Sequence, residues 1–266
     1  MSEVITREIS DGVAVLTLNR PERLNAWTGE MQVLYFDLLA DCGEREDVRA
    51  IVITGAGKGF CAGADMGDLE TLSGGGNGSE GESLPGRGNE PQTFPLTIGK
   101  PIIAAVNGAC AGLGLVHAVM CDLRFAAEGA KITTAFVRRG LIGEYGLAWM
   151  LPRLVGPAHA LDLLLSGRVV LAEEALQMGL VNRVTAPDRL LPEALEYAKD
   201  LAANCSPTSM AVIKDQVYGD FERGLDDAYA RALELMGESF TREDFQEGVA
   251  SFIERREPRF APLSSP

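Results

Sequence analysis

Two glycine-rich segments carry the clearest chemical signal in this sequence. The first is GAGKGFCAGAD at residues 55–65, and the second is NGACAGLG at residues 107–114. Each follows a short apolar run, so each is expected where a strand turns towards a helix. Small residues let the backbone approach a ligand closely, and a helix N-terminus directs unpaired N–H groups at developing negative charge. The two turns could therefore meet at one anionic oxygen, although glycine content alone also fits ordinary tight turns.

Charge and composition exclude several other chemistries. The 266 residues include 24 Lys or Arg and 38 Asp or Glu, so the formal net charge is −14. This charge opposes non-specific binding to nucleic acid or anionic membrane, and a polyanionic ligand needs a local basic patch. The five cysteines form no CxxC pair and read as reduced thiols, while His117 and His159 each fit a structural histidine satisfied by one hydrogen bond. We expect no metal site, no nucleic-acid partner and no membrane partner.

The N-terminus and the apolar runs predict a cytoplasmic protein. The first ten residues, MSEVITREIS, contain neither the basic region nor the apolar region of a signal peptide. No apolar run reaches the roughly 18 residues that a membrane-spanning helix needs.

The hydrophobic pattern predicts an α/β protein that becomes helical towards its C-terminus. Residues 3–9 and 13–18 alternate in the β manner around Asp11-Gly12, which predicts a hairpin. Residues 48–54 and 101–106 are continuous apolar runs rich in β-branched residues, as in strands buried on both faces. Helical periodicity is found at 28–42, 188–203, 208–218, 222–238 and 241–255, the last with Thr241 as N-cap.

A segment rich in Gly, Ser and Pro interrupts this pattern at residues 72–95. It cannot bury enough apolar surface to order itself, so we predict a mobile loop. Such a loop fits the lid of an active site and fits a tolerated surface insertion equally well. The chain is accordingly divided into a core at 1–187, which includes the loop, and a helical C-terminal region at 188–266.

Four motifs in order along nearly the whole chain resemble the crotonase (enoyl-CoA hydratase/isomerase) superfamily. They are LNRPERLNA, GKGFCAGAD, KPIIAAVNGACAGLGLVHAVMCDL and EGVASFIERREPRF. The resemblance implies a crotonase-like spiral of ββα units whose helical C-terminal region builds a homotrimer or a homohexamer. It also implies an acyl-CoA or enoyl-CoA thioester as substrate, so coenzyme A belongs to the substrate and no separate cofactor is needed.

By position, the resemblance assigns an oxyanion hole to the backbone N–H groups of Ala64 and Leu113. Both would hold the thioester oxygen and stabilise the enolate that forms when a proton leaves the alpha carbon. Removing one such donor typically costs about 3 kcal/mol of transition-state stabilisation.

The resemblance also implies a coenzyme A site, in which two positions of the last helix reach the ligand of a neighbouring subunit. From the residues alone, the two N-terminal arginines also fit solvated loop charges, and the phenylalanine fits the apolar face of an amphipathic helix. The implied positions are Arg20, Arg23, Leu24, Ala62 and Asp65, with Phe252 and Arg255 on the last helix.

The sequence departs from the hydratase members of the superfamily at both of their glutamates. In register with the motifs, these positions are here Val116 and Phe136. Neither side chain transfers a proton, and each general acid or base typically contributes 10²–10⁴-fold to the rate. Efficient addition of water is therefore not expected.

Glu144 offers a different base, eight residues after Phe136 and at the predicted start of a helix. This spacing resembles the delta-3, delta-2-enoyl-CoA isomerases, which carry phenylalanine at the first position and a single glutamate at the second. One carboxylate suffices for a double-bond shift, because the proton taken from the alpha carbon returns to the gamma carbon. The apolar neighbours should raise the pKa of Glu144 and the helix dipole should lower it, and Glu144 also fits an ordinary acid of a first helical turn.

These observations favour an enoyl-CoA isomerase that uses Glu144, Ala64 and Leu113. Two other interpretations stay open. Glu144 could activate water or act as a nucleophile, which would give a hydratase or a thioester hydrolase. A non-catalytic acyl-CoA binding protein would explain Val116 and Phe136 but not Glu144.

Overall fold

A six-stranded sheet forms the centre of the protein. The computed structural model describes residues 3–65, residue 67 and residues 87–263. In spatial order the strands of the sheet are β1 (Ile5–Ser10), β2 (Val13–Leu18), β3 (Ala50–Gly55), β5 (Ile102–Val106), β7 (Leu123–Ala127) and β10 (Arg183–Thr185). β1 and β2 are antiparallel, and all other neighbours in this sheet are parallel. Every residue of β3 and β5 is buried, which explains their continuous apolar sequences.

The predicted N-terminal hairpin is confirmed. Asp11 and Gly12 join β1 to β2, and both have positive φ angles, 52° and 76°. Such angles at both central residues give a turn whose twist matches the strands that it connects, and Asp-Gly is a favoured pair for it.

A second sheet of four short strands lies beside the first. Its order is β4 (Gly59–Cys61), β6 (Ala109–Ala111), β8 (Lys131–Thr133) and β9 (Val170–Leu171). β4, β6 and β8 run parallel, so their carboxyl ends meet at one edge of the sheet. The sequence pattern does not indicate these strands, because two or three residues are too few for a periodic pattern.

The helices agree with the sequence pattern in place and differ from it mainly at their ends. They are α1 (Gly29–Glu44), α2 (Leu113–Val119), α3 (Leu147–Ser166), α4 (Ala172–Gln177), α5 (Leu190–Asn204), α6 (Pro207–Gly219), α7 (Leu225–Ser239) and α8 (Glu243–Glu254). The predicted cap of the last helix is wrong. Arg242, not Thr241, precedes α8, and the Thr241 hydroxyl donates instead to the Glu238 carbonyl.

The larger sheet is covered on both faces. On one face, α5 buries Leu190, Ala194, Ala198 and Ala202 at a spacing of four residues. This first helix of the predicted C-terminal region is thus packed on the core. The other face carries α1, α2 and α3, whose buried side chains form the larger apolar cluster. A stripe at helical period facing a sheet is the usual way in which both elements bury their apolar sides.

A half-buried carboxylate fixes α6 to the sheet. Asp122 accepts hydrogen bonds from the Ile102 N–H at 2.7 Å, the Lys214 Nζ at 2.8 Å and the Tyr218 hydroxyl at 2.9 Å. Burial lowers the pKa of Lys214, and the Asp122 charge opposes that shift. The arrangement satisfies a charge that would otherwise be costly to bury.

The last two helices keep much of their apolar surface exposed. Leu225, Phe252 and Ile253 are 85%, 84% and 73% exposed. Assembly into a trimer or hexamer stays a prediction that would cover such surface. In the described part of the chain, no helix is long and apolar enough to cross a membrane. The predicted loop at 72–95 lies largely outside the described residues, since only 87–95 belong to them.

Candidate active site

The two glycine-rich segments leave from neighbouring parallel strands. β4 pairs with β6 through Gly59 and Ala109, so residues 62–65 and the start of α2 emerge at the same edge of the second sheet. They are in direct contact, because a Cβ atom added to Gly63 would lie 3.1 Å from the Ala111 carbonyl oxygen. The predicted meeting of the two turns is therefore seen in the structure.

Two further glycines of the second segment are required by close backbone packing. A Cβ atom on Gly114 would lie 2.2 Å from the Cys61 carbonyl oxygen, and one on Gly108 would lie 2.1 Å from that of Lys58. No side chain fits at such distances, since non-bonded heavy atoms normally stay about 3.5 Å apart. The segment is thus more than an ordinary flexible turn: its glycines let α2 start against β4.

The N–H groups of Ala64 and Leu113 have no acceptor within the described residues. Ala64 bridges Trp27 in parallel fashion, with the Trp27 N–H donating to the Gly63 carbonyl and the Asp65 N–H donating to the Trp27 carbonyl. This pattern turns the Ala64 N–H away from Trp27. Leu113 is the first residue of α2, where no N–H has an acceptor in the helix. In the described residues, each of the two turns that meet therefore carries one N–H group without an acceptor.

Both residues line a cavity of about 450 Å³. It also contains four of the other predicted site residues, Arg23, Ala62, Asp65 and Glu144, but not Arg20, Leu24, Phe252 or Arg255. The complete lining comprises Arg23, Ala26, Ala62, Gly63, Ala64, Asp65, Gly112, Leu113, Ala135, Phe136, Arg139, Leu141, Glu144 and Tyr145. Among the described residues, no group of three His, Cys, Asp or Glu side chains is placed to hold a metal ion.

Glu144 lies in the loop that joins the 3₁₀ turn Phe136–Arg139 to α3. The prediction that it starts the helix is wrong by three residues, because α3 begins at Leu147, whose N–H donates to the Glu144 carbonyl at 2.9 Å. Its carboxylate has no hydrogen bond or ion pair in the described part of the chain, and burial raises its pKa. Burial, one of the two opposing effects expected from the sequence, is the cause of this shift, and Glu144 lies outside the helix whose dipole would oppose it.

The two positions that hold glutamates in hydratases are apolar and differ in their surroundings. Val116 is fully buried inside the core on α2 and does not line the cavity. Phe136 does line it, with its ring 3.8 Å from the position of a Cβ atom on Gly112. Neither position supplies a titratable group to the cavity.

Arg20 and Arg23 differ in what they contact. The Arg20 guanidinium pairs with Asp65 at 3.0 Å and also donates to the Ala26 carbonyl. The pKa of Asp65 is lowered by the Gly67 N–H and then by Arg20, which keeps this carboxylate ionised and engaged. Arg23 lines the cavity, and within the described residues it forms no ion pair. The Leu24 carbonyl accepts a hydrogen bond from the Ala62 N–H. Leu24 therefore helps to position the first glycine-rich turn, although it does not line the cavity.

Phe252 and Arg255 lie on the last helix, away from this cavity. Phe252 lines a separate groove of about 480 Å³ together with Phe245 and Phe260. Arg255 ends α8 with a φ angle of 55°. That they reach the ligand of a neighbouring subunit stays a prediction.

His117 corrects the sequence interpretation, which gave it one hydrogen bond. Neither ring nitrogen has a partner in the described chain, and burial lowers the pKa of His117 to about 3. The ring stacks on Trp27 with centroids 3.8 Å apart. It is therefore a neutral aromatic core residue in the last turn of α2.

Two polar residues of the cavity lining were missed as site residues. Tyr145 was treated only as an apolar neighbour of Glu144, yet it lines the cavity with a left-handed φ angle of 53°. Arg139 was not considered, although the double arginine directly after Phe136 was a signal that could have found it. Their inclusion depends on how the loop folds back over α2, which has no periodic signature.

Comparisons with known proteins agree with this geometry. The family model described as enoyl-CoA hydratase/isomerase matches residues 8–262. The chain belongs to the enoyl-CoA hydratase/isomerase family. A 1,2-epoxyphenylacetyl-CoA isomerase of Escherichia coli is 36% identical, with 98% of this chain and 99% of that protein covered. A short-chain-enoyl-CoA hydratase of Clostridium acetobutylicum is 34% identical, with 92% of each covered.

A solved structure supports the membership. The chain resembles the crystal structure of a probable enoyl-CoA hydratase/isomerase from Mycobacterium abscessus with a TM-score of 0.85 and 32% identity. The alignment covers 97% of this chain and 99% of the other. The predicted family and the predicted crotonase-like fold are confirmed. The relatives include both an isomerase and a hydratase of acyl-CoA compounds, so membership in the family does not decide the reaction.

Proposed function

We propose that this protein is an enoyl-CoA isomerase that shifts a double bond from the beta-gamma to the alpha-beta position. The observation that carries the proposal is the state of the cavity carboxylates. Of the two among the described residues, Asp65 is held by Arg20 and the Gly67 N–H, whereas Glu144 is unpaired and has a raised pKa. A carboxylate without a partner and with a raised pKa is suited to accept and return a proton.

In the proposed reaction the thioester oxygen accepts hydrogen bonds from the Ala64 and Leu113 N–H groups. Glu144 removes a proton from the alpha carbon, and the negative charge spreads onto the thioester oxygen of a dienolate. The protonated Glu144 then delivers the same proton to the gamma carbon, so the reaction needs no second acid or base. Donors already fixed by β4 and α2 stabilise this charge without reorganising during the reaction.

The residues around Glu144 argue against efficient hydration. Water addition needs a group that activates water and one that protonates the alpha carbon, and Val116 and Phe136 supply neither. The apolar side chains of Phe136 and Leu141 instead line the cavity next to Glu144. An apolar lining limits the competition of water for the dienolate.

Coenzyme A enters this proposal as part of the substrate. Arg23, Ala62 and Asp65 lie in one part of the lining, next to the first turn. An unpaired arginine is what a protein of charge −14 needs there to hold a phosphate-bearing ligand. The proposed coenzyme A contacts of Arg20 and Leu24 are indirect, through Asp65 and Ala62.

The test is the Glu144→Gln substitution, with Glu128→Gln as a matched control at an exposed position outside the cavity. Each variant is assayed with trans-3-enoyl-CoA, 2-enoyl-CoA and saturated acyl-CoA. Glutamine keeps the size of the side chain but accepts no proton, so isomerisation should fall by at least about 10²-fold while coenzyme A thioesters still bind. The control should keep its activity.

The three substrates separate the candidate reactions. Turnover confined to the 3-enoyl compound supports the isomerase, water addition to the 2-enoyl compound indicates a hydratase, and release of coenzyme A from the saturated compound indicates a hydrolase. Alpha-proton exchange with deuterated solvent identifies a non-catalytic binder, which shows none above background. Equal isomerisation by the wild type and Glu144→Gln would show that the base lies elsewhere.

A further inference from the structure

The cavity contains a second arginine that the proposed reaction does not use. Arg139 ends the 3₁₀ turn after β8, on a different segment from Arg23. Its Nη1 donates to the Ala135 carbonyl at 3.3 Å, and no other contact of its guanidinium is present in the described residues. One long hydrogen bond leaves most of its five N–H donors without a protein acceptor.

Arg139 differs from the arginines that contact carboxylates, as Arg45 contacts Asp47 at 2.7 Å and Arg168 contacts Glu174 at 2.6 Å. It also differs from arginines without an ion pair in the described residues that are held by several carbonyls or an aromatic ring, as Arg124 and Arg153 are. Glu144 shares the cavity with Arg139, but the two form no ion pair, and burial is what shifts the pKa of Glu144. Within the described chain, this solvent-exposed cation of the cavity lining therefore has no ion pair with a carboxylate.

The neighbours of Arg139 place it along the acyl part of a bound thioester. The thioester oxygen is assigned to Ala64 and Leu113, and the coenzyme A part to the side of Arg23 and Ala62. The acyl chain must then pass Glu144 and run along the part of the lining that residues 135–145 supply, namely Ala135, Phe136, Arg139, Leu141 and Tyr145 beside Glu144. This wall is apolar except for the Tyr145 hydroxyl, the Glu144 carboxyl and the Arg139 guanidinium.

We propose that Arg139 binds an anionic oxygen group of the thioester substrate, and that this group is a carboxylate at the far end of the acyl chain. The inference rests on the proposed function of the cavity and specifies its substrate class. Arginine matches a carboxylate through two parallel hydrogen bonds, which gives selectivity for acyl chains that end in this group. A phosphate of coenzyme A offers the same chemistry and is the alternative source that the experiment separates.

The experiment measures binding to Arg139→Leu, Arg139→Lys and the control Arg138→Leu. Arg138 is adjacent in sequence, donates to the Ser166 carbonyl and does not line the cavity. The probes are a saturated acyl-CoA whose chain ends in a carboxylate, its methyl ester, and the pantetheine thioester of the same acid. Calorimetric binding of saturated probes needs no turnover, so a failure of the isomerase proposal appears in the turnover assays and leaves this measurement interpretable.

Arg139→Leu should weaken the carboxylate-ended acyl-CoA about 10- to 100-fold, the usual range for a hydrogen bond to a charged group, and leave the methyl ester unchanged. Arg139→Lys should recover part of the loss, and the pantetheine thioester should show the same loss. Arg139→Leu could instead weaken binding of the acid and of its methyl ester equally, with no loss for the pantetheine thioester. That result would place a coenzyme A phosphate at Arg139 and overturn the acyl assignment. Unchanged binding of every probe, or the same loss in Arg138→Leu, would overturn the proposal as a whole.

Discussion

Gly114→Ala tests whether the start of α2 must lie against β4 for the oxyanion donors to work. The added Cβ atom would lie 2.2 Å from the Cys61 carbonyl oxygen, 2.8 Å from the Cys61 Cβ and 2.9 Å from its carbonyl carbon. Two of these three atoms belong to the backbone of β4, so no side-chain rotation relieves the clash. The helix and the strand must separate by about 1 Å to restore ordinary contact.

Two consequences of this displacement can be measured. Overpacking of this kind typically costs 1–3 kcal/mol, so the urea midpoint should fall without loss of the helical circular dichroism signal. Leu113 precedes Gly114 directly, and its N–H should move with it, away from the Ala64 N–H. A misplacement of about 1 Å typically costs 10²-fold in rate. The rates of 3-enoyl-CoA isomerisation and alpha-proton exchange should both fall by that factor, since both pass through the enolate.

Gly29→Ala is the matched control for this substitution. Gly29 begins α1, and nothing lies within 4 Å of its added Cβ atom. Alanine is the better helix former by up to about 1 kcal/mol, so stability should hold or rise slightly and activity should not change. Wild-type activity and an unchanged urea midpoint in Gly114→Ala would refute the argument that close packing of α2 on β4 positions the Leu113 donor.

Three further predictions concern Tyr145, Lys214 and His117. In Tyr145→Gly, the left-handed φ angle at position 145 falls on glycine, which adopts it without strain. The free energy of unfolding in urea should therefore rise by about 1 kcal/mol. The substitution also opens Glu144 to water, so the acidic limb of the pH–rate profile should move to lower pH, and an unmoved limb would contradict the burial argument. Lys214→Met leaves Asp122 without its buried cation and should lower the unfolding free energy by about 3–5 kcal/mol, whereas a loss below 1 kcal/mol would mean that the remaining bonds suffice. His117 has a pKa of about 3 in the fold against 6.5 in the unfolded chain, so its contribution to stability is complete above pH 6.5 and is lost by about 1.4 kcal/mol per unit as the pH falls towards 3. His117→Leu should remove this pH dependence, and an unchanged dependence of the urea midpoint between pH 6.5 and 4 would show that other groups cause it.

Local elements could be predicted from the sequence because their information is local. The turn at Asp11-Gly12 depends on two residues that tolerate positive φ angles, and the β1–β2 hairpin follows from it. The helix predicted at 28–42 is found as α1, where Thr28 accepts the Met31 N–H. Amphipathic periods likewise locate the C-terminal helices, with errors confined to caps such as that of α8.

Family membership and the candidate site were also accessible from the sequence, since glycine positions record where backbone must approach backbone. Both glycine-rich segments line the cavity. Glu144 could be identified because it follows Phe136 by eight residues in the sequence. The roles assigned to these residues remain proposals.

Only the tertiary structure decided which groups are neutralised and which stay available. The sequence alone does not show that Arg20 pairs with Asp65, whereas Arg23 lines the cavity without an ion pair in the described residues. The strands that bring the turns together contain three residues each, and Arg139 enters the cavity through the loop after β8. Burial and ion pairing depend on contacts between residues far apart in the chain, and a sequence pattern records a local period but not the partner across the fold.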